Sequence, residues 1–217
     1  MGILNTKELN TDIVLIDIIN FSQLTSAKQL EIVNFLTQSY KKIIEKMLHN
    51  SGAPLSKFVL GFVPTGDGFY CILHPRIKGF GTILGMSFNH LSEQISKKYL
   101  YFNGVRIAVH TGEVNEFRDI LDHKNYIGHG MNDCARYLEI KDYTISTVMV
   151  SDIAYENFKN FLLVYPDYNT LLHQREFKHS KLYEFHDKHG NTKRGFLVWL
   201  RKSGIINPPN INLNAII

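Results

Sequence analysis

Two apolar stretches joined by a glycine-rich turn constrain the fold more than any other feature of the chain. Residues 62–73 read FVPTGDGFYCIL, with a Thr-Gly-Asp-Gly turn at 65–68. Gly reaches positive φ without steric cost and Asp is common in turns, so the stretch predicts a β-hairpin, with strands near Phe58–Val63 and Phe69–Leu73. The preference of Asp for turns is enough to explain why Asp67 stands here, unless a second acidic residue lies beside it in the fold.

The hairpin is one part of an alternation of strands and helices. DIVLIDII at residues 12–19 predicts a strand buried on both faces and interrupted by Asp17. Apolar positions at helical spacing predict helices over about 27–48 and 77–98, and Val105–His110 predicts a further buried strand. The order β-α-β-β-α-β is that of a ferredoxin-like core, an antiparallel sheet with helices on one face. The sequence therefore predicts an α+β fold, with extra strands towards the C-terminus.

The second half of the chain gives shorter patterns. We expect a strand at Glu113–Phe117 that pairs with the preceding strand across a Thr111-Gly112 turn, then a polar loop over 118–128. Two helices are predicted, at 131–140 and, capped by Ser151, at Asp152–Asn160. The later strands are predicted at Val148–Val150, Leu163–Tyr165, Lys181–His186 and Phe196–Leu200. We expect a single domain over residues 1–200 and a C-terminal tail over 201–217.

Charge and composition exclude several kinds of partner. The net charge of +4 suits a small anionic substrate, but the basic residues form no stripe with interleaved aromatic residues, so no nucleic-acid partner is expected. No apolar run approaches membrane-spanning length and no secretion signal is evident, so we expect no membrane partner. Cys71 and Cys134 lack CxxC spacing. They indicate buried thiols and a reducing, cytoplasmic location.

Asp17 and Asp67 are expected to share one edge of the sheet, because the first strand and the hairpin are neighbours in a ferredoxin-like core. Two carboxylates a few ångströms apart repel each other unless a cation lies between them. Mg²⁺ is usually held by one or two carboxylates together with substrate phosphates. The residues after Asp17, among them Asn20 and Phe21, lead into a helix start that would bind a polyphosphate. The pair indicates metal-dependent phosphoryl chemistry; a buried Asp17 bonded to nearby backbone is the alternative.

Several stretches, in order and over residues 12–185, resemble the class III nucleotide cyclases. They read VLIDIINFSQLT, FVPTGDGFYCIL, VRIAVHTGEV, YIGHGMNDCARYLEI, VMVSDIAYENF and LYEF. The resemblance implies a single nucleotide cyclase catalytic domain that converts a nucleoside triphosphate into a cyclic nucleotide and pyrophosphate. It also implies two divalent ions per site, Mg²⁺ or Mn²⁺, with Asp17, Ile18 and Asp67 as the metal site.

Asn132 and Arg136 match the family's Asn-x-x-x-Arg pair on a helix. Four-residue spacing places both side chains on one helix face, so both can reach one substrate. The resemblance implies that Asn132 orients the ribose and that Arg136 stabilises charge on the α-phosphate. It implies further that a second subunit supplies this pair, so that a homodimer carries two shared sites. The alternative is that Arg136 is a solvated helix residue.

The base-reading positions depart from those of adenylate and guanylate cyclases. Val63 stands four residues before Asp67, where adenylate cyclases carry Lys, and Asn125 stands seven residues before Asn132, where they carry Asp or Thr. The chain resembles the pyrimidine cyclases of bacterial anti-phage Pycsar systems, whose cyclic UMP or cyclic CMP activates a separate effector without direct contact. Bulky apolar residues such as Val63 would shrink the base pocket, and Asn125 would hydrogen-bond a pyrimidine edge. We expect UTP as the substrate, with CTP as the alternative.

Several other residues have weaker assignments. Arg106 is expected to contact base or phosphate, or else to form a strand-edge salt bridge. Lys178 is expected to bind phosphate, with a solvated charge as the alternative. His110 is predicted to be a hydrogen-bonded sheet histidine. The late histidines lack zinc spacing and are predicted to be surface residues: His173, His179, His186 and His189.

Three other functions stay open from the sequence. The chain could be an adenylate or guanylate cyclase, or a catalytically inactive cyclase homologue that binds nucleotides. A diguanylate cyclase is the third, because TGDGF superficially resembles the GGDEF loop of those enzymes, although the consecutive acid is missing here.

Overall fold

The structure is a computed structural model that describes residues 8–48, 54–140 and 147–201. Its strands are β1 Glu8–Ile18, β2 Val59–Pro64, β3 Gly68–Leu73, β4 Val105–Arg118, β5 Lys124–Ile127, β6 Val148–Ser151, β7 Phe177–His179, β8 Tyr183–His186 and β9 Thr192–Leu200. Its α-helices are α1 Ser26–Leu48, α2 Phe80–Lys98, α3 His129–Arg136, α4 Asp152–Val164 and α5 Pro166–Gln174. Apart from Arg201, the predicted tail lies outside the described residues.

The predicted β-α-β-β-α-β core is confirmed. Its four strands lie in the order β2-β3-β1-β4, and every neighbouring pair among them is antiparallel. Beyond this core β6 joins β4 in parallel, β9 joins β6, and β7 forms the far edge, while β5 pairs with β4 and β8 with β9. The fold is therefore α+β with extra strands, as predicted, but the complete sheet is mixed rather than antiparallel throughout.

The sheet separates two hydrophobic cores. Because side chains alternate along a strand, Val14 and Ile16 face a core that they share with α1, α2, α4 and α5. Ile13 and Leu15 face the opposite core, which α3 covers with Met131. The prediction of helices on one face was made for the β-α-β-β-α-β core and holds for its helices, α1 and α2. Helix α3 follows that core in the chain and lies on the opposite face, and it carries the predicted Asn-x-x-x-Arg pair.

The predicted turn at Thr111-Gly112 is wrong. β4 runs through both residues without a break and pairs with β1 from Val105 to Asn115. Gly112 serves close packing instead, since a Cβ atom there would lie 2.7 Å from the Cα of Gly130 in α3. A glycine at this position lets the helix lie directly against the strand.

Three further corrections concern the second half of the chain. The predicted polar loop at 118–128 contains β5. The predicted strand at Leu163–Tyr165 is instead the end of α4, which continues beyond Asn160 because Phe158 and Phe161 pack in the core. Helix α5 and strand β7 were not predicted. The predicted N-cap of α4 is confirmed, because Ser151 Oγ accepts a hydrogen bond from the Ala154 N–H at 3.2 Å.

Both cysteines are buried free thiols, as predicted, and burial raises the pKa of Cys71 to about 12. His110 is the hydrogen-bonded sheet histidine that was predicted, with Nδ1 2.9 Å from Ser151 Oγ.

Among the helices of the described residues, none combines the length and the apolar character that crossing a bilayer requires.

Candidate active site

The end of β1 and the tip of the β2–β3 hairpin bring Asp17 and Asp67 together. Asp17 lies opposite Gly68 in the β1–β3 register, and the Ile18 N–H donates to the Asp67 carbonyl oxygen at 2.8 Å. Gly68 permits this close approach, because a Cβ atom there would lie 1.9 Å from the Ile16 carbonyl oxygen. The hairpin turn therefore fixes the backbone of one acid beside the other.

The Asp17 carboxylate is the more buried of the two, and its environment shifts its pKa. Only 14% of the Asp17 side chain is exposed, and this burial is the main cause that raises its pKa. Hydrogen bonds from Arg106 oppose the rise, and the negative charge of Asp67 adds to it. Arg106 donates to Asp17 Oδ2 through Nε at 2.8 Å and Nη2 at 2.5 Å. Two roles were considered for Arg106, a contact with base or phosphate and a salt bridge at the strand edge. In the single chain Arg106 forms the salt bridge, and its partner is Asp17.

The oxygen atoms gathered here fit a hard divalent cation. They belong to the Asp17 and Asp67 carboxylates, and Ile18, whose side chain is buried and apolar, would contribute only its backbone carbonyl. Within the described ranges no three His, Cys, Asp or Glu residues cluster as a metal site. A site of two acids suits Mg²⁺ or Mn²⁺ better than Zn²⁺, because magnesium usually takes part of its ligand shell from water and phosphate.

A tight turn follows Ile18. Asn20 is exposed and has a φ of 58°, and a single turn of 3₁₀ helix follows at Phe21–Gln23 before α1 begins at Ser26. Phe21 is half-buried against the α1 side of the sheet. In the described part of the chain no acceptor faces the backbone N–H of Asn20. The predicted helix start after Asp17 is thus this short turn and not α1 itself.

Helix α3 carries Asn132 and Arg136 one turn apart. The Asn132 side chain is exposed, and 19% of the Arg136 side chain is exposed. Arg136 donates from Nη1 to Glu139 Oε1 at 3.0 Å and from Nη2 to His189 Nε2 at 2.9 Å. Among the described contacts none joins this pair to Asp17 or Asp67. A single chain therefore presents the acids and the Asn–Arg pair as two separate groups.

The remaining predicted substrate contacts lie in two places: Val63 and Asn125 on strands β2 and β5, which contact each other, and Lys178 at the far edge of the sheet. Val63 lies near the end of β2 and pairs with Tyr70. Asn125 lies in β5, and its Oδ1 accepts a hydrogen bond from the Tyr126 N–H at 2.8 Å. Lys178 is exposed on β7, at the sheet edge opposite to β2. Among the hydrogen bonds and ion pairs of the described residues, none joins these three residues to Asp17.

Comparisons with known proteins identify the fold. No protein-family model and no curated protein matches the chain. The guanylate cyclase domain of RhGC from Catenaria anguillulae, solved with GTP, matches with a TM-score of 0.64 at 16% identity, covering 90% of this chain and 100% of that one. The chain has the fold of a class III nucleotide cyclase catalytic domain.

Two more cyclase structures agree with this assignment. The catalytic core of a rhodopsin-guanylyl cyclase with converted specificity, in complex with ATPαS, matches with a TM-score of 0.61 at 16% identity, covering 92% of this chain and 100% of that one. An adenylate/guanylate cyclase/hydrolase from Silicibacter pomeroyi matches with a TM-score of 0.57 at 15% identity, covering 90% and 99%. The cyclase fold is confirmed, and the pyrimidine branch stays a prediction.

Sequence reasoning missed the groups that hold Arg136 in this cyclase fold. Glu139 lies three residues after Arg136, a spacing that favours an ion pair on a helix and could have been recognised. His189 was treated as a surface residue. Nothing in the local sequence indicates its contact with Arg136, because the contact depends on how the β8–β9 turn packs against the end of α3.

Proposed function

We propose that this chain is a nucleotide cyclase, which converts a nucleoside triphosphate into a 3′,5′-cyclic nucleotide and pyrophosphate. The proposal depends on one observation, the Asp17 and Asp67 carboxylates side by side at one end of a cyclase fold. Two of the similar domains were solved with GTP and with ATPαS, and this supports a nucleoside triphosphate as the ligand. The ribose 3′-oxygen would attack the α-phosphorus, and the bond from that phosphorus to the pyrophosphate would break.

Asp17, Ile18 and Asp67 would hold two Mg²⁺ or Mn²⁺ ions. When bound, such ions acidify the ribose hydroxyl and offset charge on the triphosphate. The two acids supply the negative field that attracts the ions, and the burial of Asp17 keeps one carboxylate in a fixed position. Asn20 and Phe21 would receive the pyrophosphate at the turn after β1, where exposed backbone N–H groups favour anions. This scheme requires no protein nucleophile.

Asn132 and Arg136 would complete the site from a second subunit. Arg136 would stabilise the charge that develops on the α-phosphate, and Asn132 would orient the ribose. The separation of this pair from Asp17 within one chain supports a homodimer with two shared sites. The exposed apolar side chains near the β4–β5 turn also support association of two copies. They are Phe117, Ile120, Leu121 and Ile127, with Ile120 fully exposed.

We propose UTP as the substrate and cyclic UMP as the product, with CTP and cyclic CMP as the alternative. Val63 offers no hydrogen bond to a base, and the amide of Asn125 would offer both a donor and an acceptor to a pyrimidine. Lys178 is proposed to contact the triphosphate. Arg106 is proposed to contact the base or a phosphate through Nη1, which does not bond to Asp17. The product would act in the cytoplasm as a second messenger in anti-phage defence, through a separate effector.

One assay tests this proposal. The purified chain is incubated with ATP, GTP, CTP or UTP in the presence of Mn²⁺, and products are identified by mass spectrometry, with Asp17→Asn as the inactive control. The proposal predicts cyclic UMP from UTP and none from the control. Cyclic CMP, cyclic AMP or cyclic GMP as the main product would support the proposed nucleotide cyclase activity and contradict UTP as the substrate. A cyclic dinucleotide would indicate a diguanylate cyclase, and no product from any nucleotide would indicate an inactive homologue.

A further inference from the structure

The turn between β8 and β9 contacts the end of α3. His189 in this turn places Nε2 2.9 Å from Arg136 Nη2, although the two residues are 53 positions apart. The Lys188 N–H donates to Glu139 Oε2 at 3.3 Å, and Glu139 Oε1 in turn accepts from Arg136 Nη1 at 3.0 Å. Two acceptors from separate parts of the chain therefore hold one guanidinium group.

The chemistry of this contact sets the direction of the hydrogen bond. A guanidinium group can only donate hydrogen bonds, so His189 Nε2 is the acceptor. His189 and Glu139 use two of the five N–H donors of Arg136, which leaves the others for a bound anion.

The β8–β9 turn is itself held in place by Asp187. Asp187 Oδ1 accepts hydrogen bonds from the backbone N–H of His189 at 2.9 Å and of Asn191 at 3.0 Å. The imidazole therefore projects from an anchored turn, and it offers Arg136 a fixed partner. Such pre-organisation matters in catalysis, because a charge-stabilising group that is already in position costs no reorganisation during the reaction.

We propose that His189 is a positioning residue, which holds Arg136 in the orientation that stabilises the reacting phosphate; this inference rests on the function proposed above. Without the His189 acceptor, Glu139 alone would hold the guanidinium, and Arg136 would sample more orientations. Turnover would then fall through the orientation of Arg136, while substrate affinity would change little.

The experiment compares His189→Gln and His189→Ala with the wild type. The amide oxygen of Gln can accept from Arg136 in place of Nε2, whereas Ala offers no acceptor. We expect His189→Ala to lower kcat about tenfold with little change in KM, and His189→Gln to restore it.

His186→Gln is the matched control, since His186 lies on the same hairpin, does not contact Arg136, and approaches Thr192 instead. His186→Gln should keep the wild-type kcat. An unchanged kcat in His189→Ala, or a His189→Gln variant as slow as His189→Ala, overturns the inference and leaves the proposed cyclase activity unaffected. A wild type without product from any nucleoside triphosphate overturns the proposed function, and the inference with it.

Discussion

The guanidinium of Arg106 binds the carboxylate of Asp17 through two hydrogen bonds, from Nε at 2.8 Å and Nη2 at 2.5 Å to the same oxygen. The two residues are direct cross-strand partners in β1 and β4. A cation of the protein therefore already lies at the carboxylate that we propose as a metal ligand. Because a metal ion would compete with Arg106 for this oxygen, the ion pair should limit metal affinity.

Replacing Arg106 should therefore strengthen metal binding. We expect Arg106→Gln to bind Mn²⁺ about three- to tenfold more tightly than the wild type without nucleotide, because a competing positive charge is removed. Electron paramagnetic resonance of free Mn²⁺ measures this directly. A measurement at pH 8 keeps Asp17 ionised although its pKa is raised. Arg118→Gln, on the same strand and away from Asp17, is the control; equal or weaker affinity in Arg106→Gln would contradict the competition.

Asp67 should matter for turnover and little for stability. Its side chain is exposed at the hairpin tip, and the hydrogen bond that it accepts from Thr65 is long, at 3.4 Å. We expect Asp67→Asn to lower kcat by about 100-fold or more, because a metal ligand is lost, while the free energy of unfolding changes by less than about 1 kcal/mol. Steady-state kinetics and urea denaturation measure the two effects. Asp122→Asn is an exposed control, and similar losses of activity in both variants would argue against a role in metal binding.

His110 should make stability depend on pH. Burial lowers the pKa of His110 to about 4, so the folded protein keeps this ring neutral where the unfolded chain protonates it. The contribution of the neutral His110 ring to the free energy of unfolding is fully present above about pH 6.5 and is lost as the pH falls towards 4. We expect this residue to account for a loss of about 2 kcal/mol in the free energy of unfolding between pH 7.5 and 5.

Urea denaturation of His110→Asn at the two pH values tests this expectation. The amide oxygen of Asn can replace Nδ1 as the partner of Ser151, and it does not titrate. The variant should lose about 2 kcal/mol less than the wild type on acidification, whatever its stability at pH 7.5. His123→Asn, at an exposed position, should behave like the wild type. The assignment fails if His110→Asn and the wild type show the same pH dependence.

The first half of the fold could be predicted from the sequence because its signals are local. The apolar run before Asp17, the turn around Asp67 and the helical periodicities are each complete within a few residues. The errors in the second half arose where packing overrides local preference. Gly112 indicates a turn when taken alone, but it lies in a strand because α3 passes directly over it. Val164 and Tyr165 favour a strand by type, yet α4 continues through Val164 because Phe158 and Phe161 pack in the core.

The candidate site could be predicted in part. The nearness of Asp17 and Asp67 follows from adjacent strands and one tight turn, both of which the sequence specifies. Arg106 and His189 are distant in the chain from Asp17 and Arg136, and a single sequence does not encode such contacts in any local pattern. The structure therefore supplied the identity of the Arg106 partner and the Arg136–His189 hydrogen bond, and both change the roles that we assign to Arg106 and His189.

Mixing two inactive variants tests the central claim, a cyclase site shared between two copies of the chain, most directly. Asp17→Ala and Arg136→Ala should each make no cyclic nucleotide alone, but a heterodimer would contain one intact site. After subunit exchange the account predicts cyclic nucleotide formation at about a quarter of the wild-type rate, since half of the dimers are mixed and each has one active site. No recovery in a mixture whose exchange is verified by native mass spectrometry would contradict the account.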